Sequence, residues 1–372
     1  MLTPGELERC SMLFDSQMKR LEEEVMSDII RRIRINGEIT RAADWQIYRL
    51  YELGKSKREI KKIIKDSLNL ASKEINHLYK DIIRKGYERD AQLYRYKGKA
   101  QIPFEDNQYL QQYINAIAVQ TNKEMRNITQ SLGFAERIVD GKVIFKPIAK
   151  FYQDTLDNAV NGIATGVFDY NTALKRAVAT LTNSSLRTVD YESGHSNRIE
   201  VAARRAVMTG FSQVTAKVNE YNAEQLDTDM FEVTWHGGAR PTHQVWQGRW
   251  YKKSQLYSVC GLGDVTGLCG ANCYHDYYPV IPGLSKPTYT EKELEEMNQQ
   301  ENTPVEYNGK EYTRYEALQR QRQLETRMRA ERQRIKLLQE GEANEEDITA
   351  ARCKYRGTSQ EYTNFSKAMN LP

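Results

Sequence analysis

The chain has 372 residues, 40% of them hydrophobic and 28% charged, with a formal net charge of +4 at pH 7. That length suits two or three domains of roughly 100–200 residues, and so small a charge excess excludes nucleic-acid binding argued from bulk charge alone. A mean hydropathy of -0.72, with no run of about 18 apolar residues, excludes a transmembrane span and favours exposed helices over one large globule.

The first residues, MLTPGELERCSMLFDSQMKRLEEE, mix glutamates with apolar residues from the start, unlike a secretory leader. Up to about residue 226 the chain reads as successive amphipathic helices. Ile60, Ile64, Leu68, Ala71, Ile75, Leu78 and Ile82 recur at three- and four-residue steps, which places them on one helical face. Three further stripes follow: Leu110 to Ile128, Leu156 to Val167, and Ile199 to Tyr221. Each is flanked by Lys, Arg and Glu, as expected of a helix with one buried and one wet face. Lys97-Gly98 and Pro103 end one helix. Asp140-Gly141 separates two β-like runs, Arg137–Val139 and Val143–Phe145, and Pro147 opens the next segment. The stretch from Asn183 to Asn197, rich in Ser, Thr, Asn and Gly, reads as a loop that carries His195 in a polar setting.

The character changes near Met230. Phe231, Val233 and Trp235 alternate with polar residues and lead into a glycine-marked turn, the pattern of a short strand. Glycines and aromatics dominate as far as Pro282-Gly283. Thr290-Glu-Lys-Glu then has the form of a capping box. Tyr315 to Gln339 is a long charged helix with a thin apolar seam of Leu318, Leu324, Met328, Ile335 and Leu338, too narrow to stand without a partner surface.

The chemistry concentrates between Trp235 and Gly283, WHGGARPTHQVWQGRWYKKSQLYSVCGLGDVTGLCGANCYHDYYPVIPG. Of the five cysteines, Cys260, Cys269 and Cys273 crowd into this stretch, which suits a local site in a reducing compartment better than a disulfide framework. Thiolate and imidazole are the preferred zinc ligands, and structural sites recruit them in sequence-local pairs. Cys269 and Cys273 have pair-like spacing, His275 follows two residues on, and His243 supplies the other side, with His236 as its substitute. His243, Cys269, Cys273 and His275 are therefore the candidate metal ligands, with Zn as cofactor, and Cys260 is an ordinary buried residue. The alternative for the same residues is a cysteine nucleophile with a histidine base, but nothing at recognisable spacing orients that base. GLGDVTG lacks the lysine and the strand-to-helix setting of a phosphate loop. Trp246 and Trp250 would share a face if their stretch were helical. The basic run Arg314–Lys336 offers a DNA contact, diluted by Glu316, Glu325 and Glu331, whose spacing suits helix ion pairs.

HGGARPTHQVWQGRWY followed by GLCGANCYHDYYPVIPG resembles the signature of the phage minor capsid protein 2 family of tailed phages. WQIYRLYELGKS, YTEKELEEMN, YNGKEYTRYEALQRQRQLETRMR and KYRGTSQEYTNFSKAMNL extend the resemblance, in order, over nearly the whole chain. One departure is Tyr274, where the family pattern would place Arg or a similar polar residue. A helix, a strand, a His-bearing turn and a closing Cys-x-His are also similar to the Mu-type head-morphogenesis proteins. The resemblance implies a non-enzymatic virion protein present in few copies, built into the prohead near the portal in the host cytoplasm. Its implied partners are the portal protein, the major capsid protein or other copies of itself, with no membrane.

The expected fold is mainly α, of the α+β kind, in four segments. A helical N-terminal region (1–147) and a helical middle region (148–229) precede a small strand-and-loop Cys/His module (230–285) and a helical C-terminal tail (286–372). The rival functions are a DNA-binding or ejected virion protein and a Cys/His-based enzyme.

Overall fold

The computed structural model describes residues 4–37, 58–59, 61–66, 73, 75–77, 79–81, 83–137, 143–164, 167–189, 196–270 and 272–372. The segment Trp45 to Ser56, His195, Asp140-Gly141 and most of the stripe from Ile60 to Ile82 lie outside them. The architecture is mainly helical with small antiparallel sheets, as the hydrophobic periodicity predicts.

In chain order the helices are α1 (Pro4–Gly37), α2 (Ala91–Tyr96), α3 (Gln108–Gln130), α4 (Ile148–Ala164), α5 (Tyr170–Ser184) and α6 (Ile199–Gln225). Next come α7 (Pro241–Gln244), α8 (Lys253–Ser258), α9 (Glu291–Asn302), α10 (Arg314–Glu340) and α11 (Glu345–Ala368). The strands are β1 (Leu132–Arg137), β2 (Val143–Pro147), β3 (Leu186–Val189), β4 (Ser196–Arg198), β5 (Met230–Val233), β6 (Trp250–Lys252), β7 (Tyr277–Val280), β8 (Val305–Tyr307) and β9 (Lys310–Tyr312). Among the described residues no helix is long and apolar enough to cross a membrane.

The chain forms two compact units, each assembled from three separate stretches. One comprises Met1–Phe14, Leu70–Met125 and Arg204–Gln319; the other comprises Asp15–Asn69, Arg126–Ala203 and Arg320–Pro372.

In the second unit a four-stranded sheet runs β2-β1-β3-β4, every neighbouring pair antiparallel. Phe134 of β1 stacks on Phe151 of α4 at 4.1 Å between ring centroids. The loop expected from Asn183 to Asn197 is corrected here, because β3 and β4 pair within it. Pairing with β1 and burial of Leu186 override the polar composition, and the Leu186 amide donates to the buried Glu22 carboxylate. Glu22 Oε2 also accepts from Gln333 of α10 at 2.9 Å. The seam of α10 thus finds its partner surface inside the chain: Leu324 and Leu338 are buried, and Thr358 of α11 donates to Glu331. Half of the basic run's cations are paired in the same way. Arg320 pairs with Glu361, Arg327 with Glu331, Arg329 with Glu200 and Lys336 with Glu23.

In the first unit the Arg204–Gln225 part of α6 backs a three-stranded antiparallel sheet, β6-β5-β7. Phe231, Val233, Trp246, Tyr251, Leu256, Cys260, Leu268 and Tyr277 form one apolar core with Ala223 of that helix. Cys260 therefore packs as a small hydrophobe. At the strand layer, the buried Glu232 accepts from Trp250 Nε1 and Tyr278 OH, each at 2.6 Å, and from the Thr288 amide at 3.2 Å. Trp250 lies in β6 and Trp246 just beyond α7, so the two do not share a helical face. The capping box at Thr290 forms as read: its side chain accepts from the Glu293 amide, and the Glu293 side chain accepts from the Thr290 amide.

Candidate metal centre

The sheet brings two distant stretches of sequence together. Pro241 fixes the first turn of α7, and the turn is closed by the His243 amide donating to Arg240 O at 2.8 Å. Thirty residues later the chain returns through a glycine-rich turn. Gly261 lies at φ +67, and a β-carbon on Gly267 would overlap the Gly261 carbonyl, so both positions require glycine. Cys269 (φ 59) and Asn272 (φ 55) are also left-handed, and they turn Cys273 inward just before β7. Thr234 then clamps the entry to β7: its amide donates to Asp276 O at 2.8 Å, and its hydroxyl accepts from the Asp276 amide at 2.9 Å.

His243, Cys273 and His275 meet as a buried cluster. Their facing atoms form a triangle. His243 Nδ1 and His275 Nδ1 are 3.4 Å apart; Cys273 Sγ is 3.4 Å from His275 Nδ1 and 3.8 Å from His243 Nδ1. The Trp246 ring walls the cluster, its centroid 4.5 Å from that of His243 and 4.8 Å from that of His275. Each histidine sets its other nitrogen against an oxygen at 2.8 Å, His243 Nε2 against Thr266 O and His275 Nε2 against Gln247 Oε1.

This triangle fits one face of a zinc tetrahedron. Zn–N bonds of about 2.0–2.1 Å and a Zn–S bond of about 2.3 Å at tetrahedral angles require edges of about 3.3 Å between nitrogens and about 3.6 Å from nitrogen to sulfur. Cys269, the fourth predicted residue, lies beside the triangle and not in it, its thiol donating to His275 O at 3.6 Å. His236, the predicted substitute, is half-buried, with its ring 4.2 Å from that of His275 and its Nδ1 3.0 Å from Gly237 O.

The electrostatics argue for a neutral resting site. Burial pushes the Cys269 thiol well up and the Cys273 thiol up, the latter opposed by backbone amides. Burial holds His275 well below the ordinary imidazole range, helped by His236, His243 and Arg240 nearby, and lowers His243 as well. A cysteine nucleophile needs the opposite, a thiol lowered by nearby positive charge and open to a substrate.

The comparison with protein families decides the class. A family model described as phage minor capsid protein 2 matches residues 2–367. The chain belongs to that family. No curated protein and no solved structure matches it. As a phage minor capsid protein it is a structural component of the virion and meets other virion proteins. Within this minor capsid protein, the His/Cys segment is the part where the sequence motif and a built cluster coincide. Sequence reasoning missed Gln247 and Thr266, which hold the histidines from behind. Gln247 stands in the quoted motif, but an uncharged amide carries no ligand signal until the fold places it.

Proposed function

We propose that this protein acts in prohead assembly in the vicinity of the portal, as a low-copy structural component assembled in the host cytoplasm, with no catalytic role. The observation that carries the reading is the family match from residue 2 to residue 367. The portal protein, the major capsid protein or further copies of the chain are the partners this reading gives it. Quantitative mass spectrometry of gradient-purified proheads and mature particles tests it. A low, fixed ratio to the portal protein is the expected result; absence from both particles overturns it.

The module formed by 230–285 is stabilised, in this reading, by Zn²⁺ held by His243, Cys273 and His275, with Cys269 beside them to complete the set. The donor chemistry and the edges of the triangle support it. When bound, the ion supplies a cross-link between α7 and the approach to β7, and the folding free energy of a small module rises by its binding. Elemental analysis of protein purified without chelator should find about one zinc per chain, the stoichiometry of one four-ligand site. Protein that carries none and takes up none on addition overturns it. A DNA contact through Arg314–Lys336 is the weaker reading, since four cations of that run already face carboxylates. A salt-sensitive shift of DNA mobility, abolished by charge reversal at Arg322 and Arg334, would restore it.

A further inference from the structure

The hydrogen bonds behind the cluster fix the tautomer of both histidines. A backbone carbonyl only accepts, so His243 Nε2, 2.8 Å from Thr266 O, carries the proton and donates it. The oxygen facing His275 belongs to a glutamine, whose amide could in principle be turned the other way. A second bond forbids that. Gln247 Oε1 also accepts from the His236 backbone N–H at 3.2 Å, and a turned amide would set donor against donor. His275 Nε2 therefore carries its proton as well, and donates it to Gln247 at 2.8 Å.

Both Nδ1 atoms are then bare lone pairs, and they face each other at 3.4 Å. The Cys273 thiol holds one proton and lies within reach of both. One proton among three acceptors leaves a pair of lone pairs opposed in a buried, aromatic-walled space, an arrangement that a cation relieves.

We propose that Gln247 is a positioning residue of the metal centre, which selects the His275 tautomer so that the ion is bound through Nδ1 of both histidines. This rests on the zinc reading above. Gln247 is fully buried, and its backbone amide donates to His243 O at 3.1 Å, so a single turn carries one ligand and the residue that orients the other. Its amide nitrogen has no hydrogen-bond partner among the described residues. The side chain is used for its oxygen alone, the part a glutamate would keep. Outer partners of this kind fix ring orientation and raise ligand basicity, and their loss weakens metal binding by about 10–100-fold.

The test uses the full chain loaded with zinc. Competition with a chromophoric chelator measures affinity for wild type, Gln247→Leu and Gln247→Glu, and nitrogen-15 NMR of the imidazoles reports which nitrogen holds the proton. Wild type should show both Nε2 atoms protonated in the zinc form. Gln247→Leu should bind zinc about 10–100-fold more weakly, and Gln247→Glu at least as tightly as wild type. Wild-type affinity in Gln247→Leu, or loss in Gln247→Glu equal to that in Gln247→Leu, overturns the role of Gln247. A wild-type spectrum with His275 bound through Nε2 overturns it without any variant having to fold. Wild type that takes up no zinc sinks the underlying metal reading instead, and is told apart by being seen before any substitution is made.

Discussion

Gly210 of α6 lies against the phenol of Tyr79, so close that a β-carbon at 210 would overlap the Tyr79 hydroxyl and the Thr121 hydroxyl beside it. Tyr79 OH bonds Thr121 at 3.0 Å and donates to Val207 O at 3.0 Å, so it is held in place. Helix propensity alone would have Gly210→Ala stabilise by up to about 1 kcal/mol. The overlap reverses the sign, and a net loss of roughly 1–2 kcal/mol is expected in denaturant titration. Adding Tyr79→Phe should recover part of it. If Gly210→Ala raises stability, the close approach is not real.

Glu232 ties β5 to Trp250 of β6, Tyr278 of β7 and the Thr288 amide beyond. Removing its carboxylate takes an acceptor from the half-buried Trp250 indole N–H and Tyr278 hydroxyl and from the exposed Thr288 amide, each bond being worth about 1–2 kcal/mol. Glu232→Ala should therefore destabilise the first unit by roughly 3 kcal/mol. Hydrogen exchange at β5 to β7 would show it, and unchanged protection there would refute it.

Asp90 is buried, its carboxylate accepting from Asn222 Nδ2 at 2.6 Å, while Tyr94 OH donates to Asn222 Oδ1 at 2.9 Å. Burial raises its pKa, against the pull of the Asn222 hydrogen bond. A carboxyl raised in the folded state holds its proton there longer than in the unfolded chain. Its contribution is thus most favourable below the ordinary carboxylate pKa and is lost as pH climbs toward the folded value. Asp90→Asn, which cannot ionise, should match wild type near pH 3.5 and overtake it by pH 7, by roughly 2–4 °C in Tm for each kcal/mol involved. A constant difference across that range would show that Asp90 does not titrate abnormally.

The cysteines should separate by access. Cys353 is exposed on α11, whereas Cys260 is buried in the module core, its thiol pushed up to about 12 by burial. Site-resolved alkylation of the native protein at pH 8 should label Cys353 and spare Cys260 until denaturant is added. Equal labelling would mean that the module opens readily.

Much of this fold can be read from the chain because its signals are local. The helix from Ile199 to Gln225, the strand at Met230 and the Thr290 box depend on periodicity or on contacts three residues apart, and each stands where the pattern puts it. β3 and β4 could not be read so. β3 becomes a strand because β1, more than fifty residues away, lies alongside it, and β4 in turn pairs with β3. The seam of α10 asked for a partner, and its pattern could not say that the same chain buries Leu324 and Leu338 and sets Glu22 and Thr358 against the neighbouring Gln333 and Glu331. Spacing likewise marks His243, Cys273 and His275 as metal-seeking types, while the service of Gln247 exists only once a turn at His243 sets it behind His275.

The interleaving of the two units bears on how the chain is made. Glu22 and Gln333 are 311 positions apart, yet they share a buried hydrogen bond. At roughly 5–20 residues per second of synthesis, Glu22 waits about 15–60 s for its partner to emerge from the ribosome. Arg320–Pro372, which looks like an appendage in sequence, is one of the three stretches of its unit. A nascent chain stopped before it leaves that unit unclosed, with Glu22 and Ile30 of α1 lacking the contacts made by Gln333 and Gly341. The emergence of Arg320–Pro372, and not of any earlier segment, is therefore what lets this unit close.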